Sequence, residues 1–226
     1  MSCIQAGVIF DMDGVLVDSA DAHRRAWQQL GDEAGTPFST ALFQRTFGQR
    51  NASIIPQWLG GDVEDERLRQ LDARKESVYR DFARAGAVRV YARVPKLLNE
   101  LRQNGMGIAI ASSGPRENVV LLIEVMGARS WIDAVVSAED VQHGKPHPQA
   151  FLTAAERLGL PPARCAVIED SVHGIQAARR AGMLAVAVLT STPRAELVAA
   201  GAQLIVREIA DLNADELLEI LSHRPR

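Results

Sequence analysis

The sequence predicts an α/β fold: a doubly wound parallel sheet with a helical domain inserted after the first strand. Three observations carry the prediction. Short β-rich runs alternate with helical patterns along most of the chain, the signature of repeated βαβ units. One segment, from residue 20 to about 90, breaks that rhythm with helical patterning and no convincing strand. Acidic, hydroxyl and lysine side chains stand at the ends of four of the β-rich runs. At 226 residues the chain is long for one small domain and short for two full ones, which fits a core plus an insertion.

Taken in order, strands are expected over residues 7–10, 107–112, 134–137, 165–169, 184–189 and 203–206. Crossover helices are expected over 94–104, 116–126, 148–158, 172–181, 194–200 and 214–222, each long enough to return the chain to a parallel neighbour. Inside the insertion Leu68, Leu71, Val78 and Phe82 fall at helical spacing, and Gly48, Gly60 and Gly61 punctuate it. Residues 1–19 and 91–226 thus read as the α/β core and 20–90 as a helical cap, a lid with hinges near Ser19 and near residues 90–95.

Composition narrows the function classes. Hydrophobic residues are 47% and charged residues 23%, with a formal charge of -3, so the chain is globular and no basic surface calls for nucleic acid. Cys3 and Cys165 stand alone, which excludes a disulfide framework or a zinc cluster. Asp11 interrupts the start before a signal-peptide core forms, and no apolar run nears the roughly 20 residues of a membrane span. A cytoplasmic protein, monomeric or weakly oligomeric, without a membrane or nucleic-acid partner, is expected.

In open α/β sheets ligands bind beyond the carboxyl ends of the strands. There the first strand delivers Asp11 and Asp13, the second Ser112 and Ser113, the third leads to Lys145, and the fourth delivers Glu169 and Asp170. Together such groups bind a divalent cation and a phosphate. A carboxylate can attack phosphorus and split one hard displacement into two easier ones. Like charges about 4 Å apart repel by roughly 4 kcal/mol at an effective dielectric near 20, so a hard cation and a lysine must neutralise the phosphate. Mg²⁺ is the expected cofactor, with Asp11 and Asp170 its natural donors. Asp13 suits a general acid/base worth roughly 10² to 10⁴ in rate, and Gly14 lets the backbone turn tightly beside it.

Other readings of these residues fare worse. A calcium loop would need Gly and Glu where Leu16 and Ala22 stand; a P-loop would need Gly and Ser or Thr where Glu139 and Pro146 stand. Glu169 and Asp170 have a plainer use as an N-cap pair for the helix from Val172, and Asp170 can serve as both cap and ligand. Lys75, beside Leu71 and Val78, either snorkels from the cap or reaches a substrate.

In this order, "DMDGVLVDS", Ser112 at a strand end, Lys145 before "PHPQAF", and "EDSVHGIQAA" resemble the motifs of the haloacid dehalogenase superfamily, in its branch of β-phosphoglucomutase-like enzymes and sugar phosphatases with a small helical cap. The resemblance spans nearly the whole chain. It implies a Rossmann-like core with Asp11 as nucleophile, Asp13 as acid/base whose main-chain carbonyl also binds Mg²⁺, and Asp170 as metal ligand. Glu169 would support the metal, and Ser112 and Lys145, with Ser113 beside them, would hold the phosphate. His23 lies twelve residues after Asp11, as does a histidine that assists the acid/base in the mutase-like branch; its plainer reading is a half-buried helix histidine. Arg50 in "FGQRN" would contact a distal anionic or hydroxyl group, or simply lie at the surface.

The expectation that follows is a Mg²⁺-dependent phosphatase for a small phosphate monoester, a sugar phosphate or similar metabolite, working through an aspartyl phosphate. The alternatives are a β-phosphoglucomutase-type phosphotransferase and a noncatalytic metabolite-binding protein on the same fold. "FGQRNAS" is one residue shorter than the mutase-like loop, which displaces Arg50 and favours hydrolysis.

Overall fold

A computed structural model describes residues 4–224. Strands β1 (Gly7–Phe10) and β2 (Val17–Asp18) precede helices α1 (Ala20–Glu33), α2 (Thr40–Thr46), α3 (Asn51–Leu59) and α4 (Asp65–Arg84). Then follow β3 (Arg89–Val90), α5 (Val94–Gln103), β4 (Gly107–Ala111), α6 (Arg116–Val125), β5 (Ala134–Val136) and α7 (Gln149–Leu158). The chain ends with β6 (Cys165–Glu169), α8 (Val172–Arg180), β7 (Leu184–Val188), α9 (Arg194–Ala199), β8 (Leu204–Val206) and α10 (Ala214–Ser222). It divides into a sheet unit, up to Val17 and from Val90 onward, and a helical unit, Asp18–Arg89.

The sheet unit holds six parallel strands in the order β5-β4-β1-β6-β7-β8. Every residue of β1, β4, β6 and β7 is buried, as a parallel sheet covered by helices on both faces demands, and their sequences are accordingly apolar runs, broken only by Glu169 at the end of β6. All six strands fall where the sequence places them, to within one residue at each end. On one face α7 and α8 lay Phe151, Ala154, Ala155, Ile175, Ala177 and Ala178 against the sheet, the alanines letting helix and sheet approach closely. Phe151 is fully buried, and truncating it to alanine would cost about 3–5 kcal/mol. The order reverses about β1: the chain steps from β1 to β4 and β5 on one side, then returns to β6 on the other. That reversal is where a parallel sheet opens a crevice.

The N-cap of α8 is Ser171, whose side chain accepts from Gly174 N, so Glu169 and Asp170 are not the cap pair that the sequence offered. Strands β2 and β3, which pair in a small second sheet, were also not expected. Two residues are too few to show a period.

In the helical unit α1 packs along α4. Its core gathers Trp27, Leu30, Phe38, Phe43, Ile55, Trp58 and Leu71; Trp27 stacks on Phe38 at 4.6 Å, and Trp58 donates its indole N–H to Thr36 O at 3.0 Å. Leu71 and Val78 are buried, as their spacing predicts, while Phe82 is half-buried under the Arg25 guanidinium at 4.2 Å.

Candidate active site

Register builds the centre of the site. Phe10 is level with Ile110 on one side and Ile168 on the other, so the next residues, Asp11, Ala111 and Glu169, end three adjacent strands side by side. The Lys145 ammonium bonds all three: Asp11 Oδ1 at 2.5 Å, Glu169 Oε1 at 2.6 Å and the Ala111 carbonyl at 3.2 Å. Lys145 arrives on the connection between β5 and α7, which is braced from several directions. Ser137 and Asp140 cap each other's backbone, and Asp140 is gripped by Arg116 at 2.6 Å and Arg157 at 2.7 Å. The Arg157 hydrogen bond holds the Asp140 carboxyl well below its usual range despite some burial. Gln149 Oε1 accepts from Gln142 N and His143 N, and Arg180 donates to Pro146 O, beside a cis Lys145–Pro146 bond.

Three carboxylates crowd this ammonium. Ligand oxygens of Asp11, Glu169 and Asp170 lie within 4.8 Å of one another, the group among the described residues that could hold a metal ion. Burial pushes the Asp11 carboxyl up to about 7, against the pull of Lys145 and with the push of Glu169 and Asp13. Asp170 is raised well above its ordinary value, by burial first and then by Glu169 and Asp11. Lys145 is raised as well: burial opposes its charge, but Asp11 and Glu169 outweigh it.

Two glycines make the crowding possible. A Cβ on Gly14 would stand 2.0 Å from Asp170 Oδ2, and Gly14 has φ +81°, so only glycine fits. A Cβ on Gly174 would fall 1.9 Å from the Glu169 carboxyl, which lies across the first turn of α8. There Glu169 Oε2 accepts from Asp170 N, Ser171 N and Ser171 Oγ at 3.0, 3.0 and 2.9 Å. With Oε1 on Lys145, Glu169 orients the lysine and the turn that carries Asp170. Asp170 Oδ2 is buried with no hydrogen-bond partner among the described residues. A buried carboxylate oxygen left without a protein donor, beside two more carboxylates, suits a hard divalent cation with oxygen ligands.

Asp13 is half-buried on the turn after β1, in a bridge to Val17 and followed by a Gly14 N–H that donates to Val17 O at 2.8 Å. Ser112, 4% exposed, follows β4; its N–H donates to Val136 O and its Oγ accepts from Gly114 N at 3.0 Å. Ser113 is half-buried beside it. The structure therefore gathers Asp11, Ser112, Lys145, Glu169 and Asp170 at one sheet edge. Sequence reasoning missed the loop after β7, where Thr190 Oγ1 donates to Gly14 O and Ser191 Oγ to Asp170 O. Both are exposed polar residues in an ordinary loop, without a signal in their types or spacing.

In the helical unit His23 and Lys75 meet: Lys75 Nζ lies 2.8 Å from His23 Nδ1 and 2.7 Å from Glu76 Oε1. An ammonium only donates, so Nδ1 accepts and the ring N–H points from Nε2. His23 stacks on Tyr79 at 3.8 Å, and Lys75 Nζ sits 5.5 Å over Trp27 and 5.4 Å over Tyr79. Lys75 does not snorkel; its side chain is 2% exposed, because Glu76 and the two rings replace water around the charge. Arg50 is half-buried and caps α3 with its carbonyl, accepting from Ser53 N and Ile54 N. The next residue, Asn51, donates to Asp72 at 2.7 Å and Glu76 at 2.6 Å.

The family model of the haloacid dehalogenase-like hydrolases matches residues 6–182. Among curated proteins the chain is 32% identical to the Arabidopsis thaliana chloroplastic 5-amino-6-(5-phospho-D-ribitylamino)uracil phosphatase, covering 97% of this chain but 59% of that longer protein. It is 32% identical to β-phosphoglucomutase from Bacillus subtilis, covering 94% of this chain and 93% of that one, and 34% identical to fructose-1-phosphate phosphatase YqaB from Escherichia coli, covering 81% and 96%. A family IA hydrolase structure from Entamoeba histolytica superposes with a TM-score of 0.88 at 24% identity, covering 96% of this chain and all of that one, and so shares the fold. No described helix is long and apolar enough to cross a membrane. The chain belongs to the haloacid dehalogenase-like hydrolase family.

Proposed function

We propose that this chain hydrolyses a small phosphate monoester, of the sugar-phosphate class, through an aspartyl phosphate on Asp11, with Mg²⁺ as cofactor. One observation carries the reading: the Lys145 ammonium is bonded at once to Asp11 and Glu169 beside a third buried carboxylate, Asp170. That set would hold a phosphate and a cation in one place. Mg²⁺ held by Asp11, Asp170 and the Asp13 carbonyl would neutralise charge on the phosphoryl oxygens and on Asp11.

Asp11 attacks phosphorus; an Asp11 O–P bond forms as the ester P–O bond breaks. Asp13 gives its proton to the departing alkoxide, which leaves as an alcohol. Water then attacks phosphorus while Asp13 takes its proton, the Asp11 O–P bond breaks, and phosphate leaves with the Asp11 carboxylate restored. Lys145 balances the phosphate charge, and Ser112 Oγ, with Ser113 next to it, donates to phosphate oxygens. His23 and Arg50 are assigned to the rest of the substrate, while the buried Lys75, bonded to Glu76 and His23, holds His23 in place.

A second reading, intramolecular phosphoryl exchange on a sugar, has its own support in the 32% identity to β-phosphoglucomutase over nearly both chains. The shortened loop around Arg50 weighs against it, because a displaced arginine cannot clamp the far phosphate of a bisphosphate intermediate with bidentate geometry. The test supplies Mg²⁺ with a panel of sugar and metabolite monophosphates, then β-glucose 1-phosphate with a bisphosphate primer. Free phosphate should dominate over glucose 6-phosphate, and Asp11→Asn should release none. Isomerisation outpacing phosphate release would make the chain a mutase.

A further inference from the structure

The loop after β7 ties the two acidic turns of the site together. Thr190 Oγ1 donates to the Gly14 carbonyl at 2.5 Å, and Ser191 Oγ donates to the Asp170 carbonyl at 3.1 Å. Gly14 and Asp170 touch in turn, as the 2.0 Å clearance from a Cβ on Gly14 to Asp170 Oδ2 shows. The contacts close a ring: Thr190 to Gly14, Gly14 to Asp170, Asp170 to Ser191, and back along the peptide bond between residues 191 and 190. Asp13 precedes Gly14 directly, so one loop sets the backbone on which both Asp13 and Asp170 ride.

Two features make this more than a surface hydrogen bond. Gly14, at φ +81°, is held in its turn by its N–H on Val17 O at 2.8 Å, and Thr190 adds a hold on its carbonyl from another strand's loop. On one side Gly14 borders open space. Gly14, Val15 and Thr190 line a cavity of about 230 Å³ that Leu189, Tyr91 and Ile209 also border. On that side the Thr190 hydroxyl bonds the Gly14 carbonyl. Both residues are otherwise exposed, so removing their hydroxyls costs the fold little.

We propose that Thr190 and Ser191 are positioning residues for phosphoryl transfer, holding the Asp13 and Asp170 turns at their working separation. The proposal rests on the phosphatase reading above. Neither residue is assigned a contact with the reacting atoms; each acts through a carbonyl.

The test compares wild type with Thr190→Val, which keeps the shape without the donor, Thr190→Ser, which restores a donor, and Ser191→Ala. Three measurements are made: turnover of p-nitrophenyl phosphate with saturating Mg²⁺, calorimetric titration with Mg²⁺ alone, and amide hydrogen exchange at Gly14 and Asp170 by NMR. Thr190→Val should lower kcat or Mg²⁺ affinity by about 10- to 100-fold with KM little changed. Its Tm should fall by only about 2–4 °C, its Gly14 amide should exchange faster, and Thr190→Ser should recover most of each loss. Ser191→Ala should act chiefly on Mg²⁺ affinity. Unchanged kcat and Mg²⁺ affinity in Thr190→Val overturns the proposal, as does a loss that Thr190→Ser does not recover. If wild type neither binds Mg²⁺ nor cleaves any ester, the phosphatase reading fails separately. The exchange rates then decide alone: unchanged exchange in Thr190→Val shows that no ring holds the turns.

Discussion

Lys145 in the sheet unit and Lys75 in the helical unit both leave water, their side chains 6% and 2% exposed, yet they are paired in different ways. Lys145 is shared by Asp11 and Glu169, which come from β1 and β6 and lie 134 and 24 residues away. Lys75 is matched by Glu76, its neighbour on α4, with the faces of Trp27 and Tyr79 and the His23 ring nitrogen completing its surroundings. Around Lys145 the acids outnumber the base, and Asp170 is left with a buried oxygen that no described residue satisfies. Around Lys75 the ammonium and the Asn51 amide both bond Glu76. The unbalanced cluster has charge to spend on a cation and a phosphate; the paired one is suited first to joining α4 to α1.

The largest effect expected from breaking this comparison is Lys145→Met. It leaves the Asp11, Glu169 and Asp170 carboxylates facing one another without their ammonium, so turnover of a phosphate ester should fall by about 10³-fold or more. The fold should survive, since the buried acids can take up protons, Asp11 being already raised to about 7. Steady-state kinetics with circular dichroism checks both. Activity within tenfold of wild type would remove Lys145 from the phosphate site.

Lys75→Met should do the reverse in kind, by taking from Glu76 the ammonium beside it and leaving it the Asn51 amide. Losing one partner of a buried pair costs about 3–5 kcal/mol, read from denaturant unfolding. The pairing is sharpened by Lys75→Met with Glu76→Gln: the double variant should recover part of that loss. If Lys75→Met instead leaves stability unchanged and removes activity on one class of sugar phosphate, Lys75 is a substrate residue rather than a joint.

At neutral pH the smallest effect concerns Cys165, at the start of β6, whose contribution changes only in alkali. Burial pushes its thiol up to about 12 from an ordinary 9.0. The folded state keeps the proton that the unfolded state loses above about 9, so this residue stabilises the fold fully below that pH. Its contribution declines by about 1.4 kcal/mol for each pH unit between about 9 and 12. Stability of wild type against Cys165→Val should diverge over that window and not below it. In a Cys3→Ser background, a thiol that reacts with an aromatic disulfide reagent at pH 8 in the native protein would contradict the burial of Cys165.

Much of this was legible beforehand where a residue's type and spacing carry its role. The six strands and the acids at their ends lie where the sequence places them, and for β1, β4, β6 and β7 a parallel strand buried on both faces admits little but apolar residues. Asp11, Ser112, Lys145, Glu169 and Asp170 were named from their order along the chain. Less legible were residues whose part depends on a neighbour distant in sequence. Ser171, not Asp170, caps α8, since Glu169 turns its carboxylate back over that turn and Gly174 leaves room for it. Lys75 resembles a snorkelling lysine until Trp27, 48 residues earlier, and His23 close over it.

By itself, then, the sequence determined the class of fold, the helical insertion pattern and the acid, hydroxyl and lysine set that makes phosphoryl chemistry the reading. These are local properties: side-chain period, strand-end composition and ionisable type. The tertiary structure alone decided which charges share an ammonium, that Gly14 and Gly174 are spaces for the Asp170 and Glu169 carboxylates, and that the loop of Thr190 and Ser191 reaches both acidic turns. Each of those depends on bringing together residues up to 176 positions apart, and a hydrogen bond of about 3 Å is fixed by the register of packed strands rather than by any pattern along one of them.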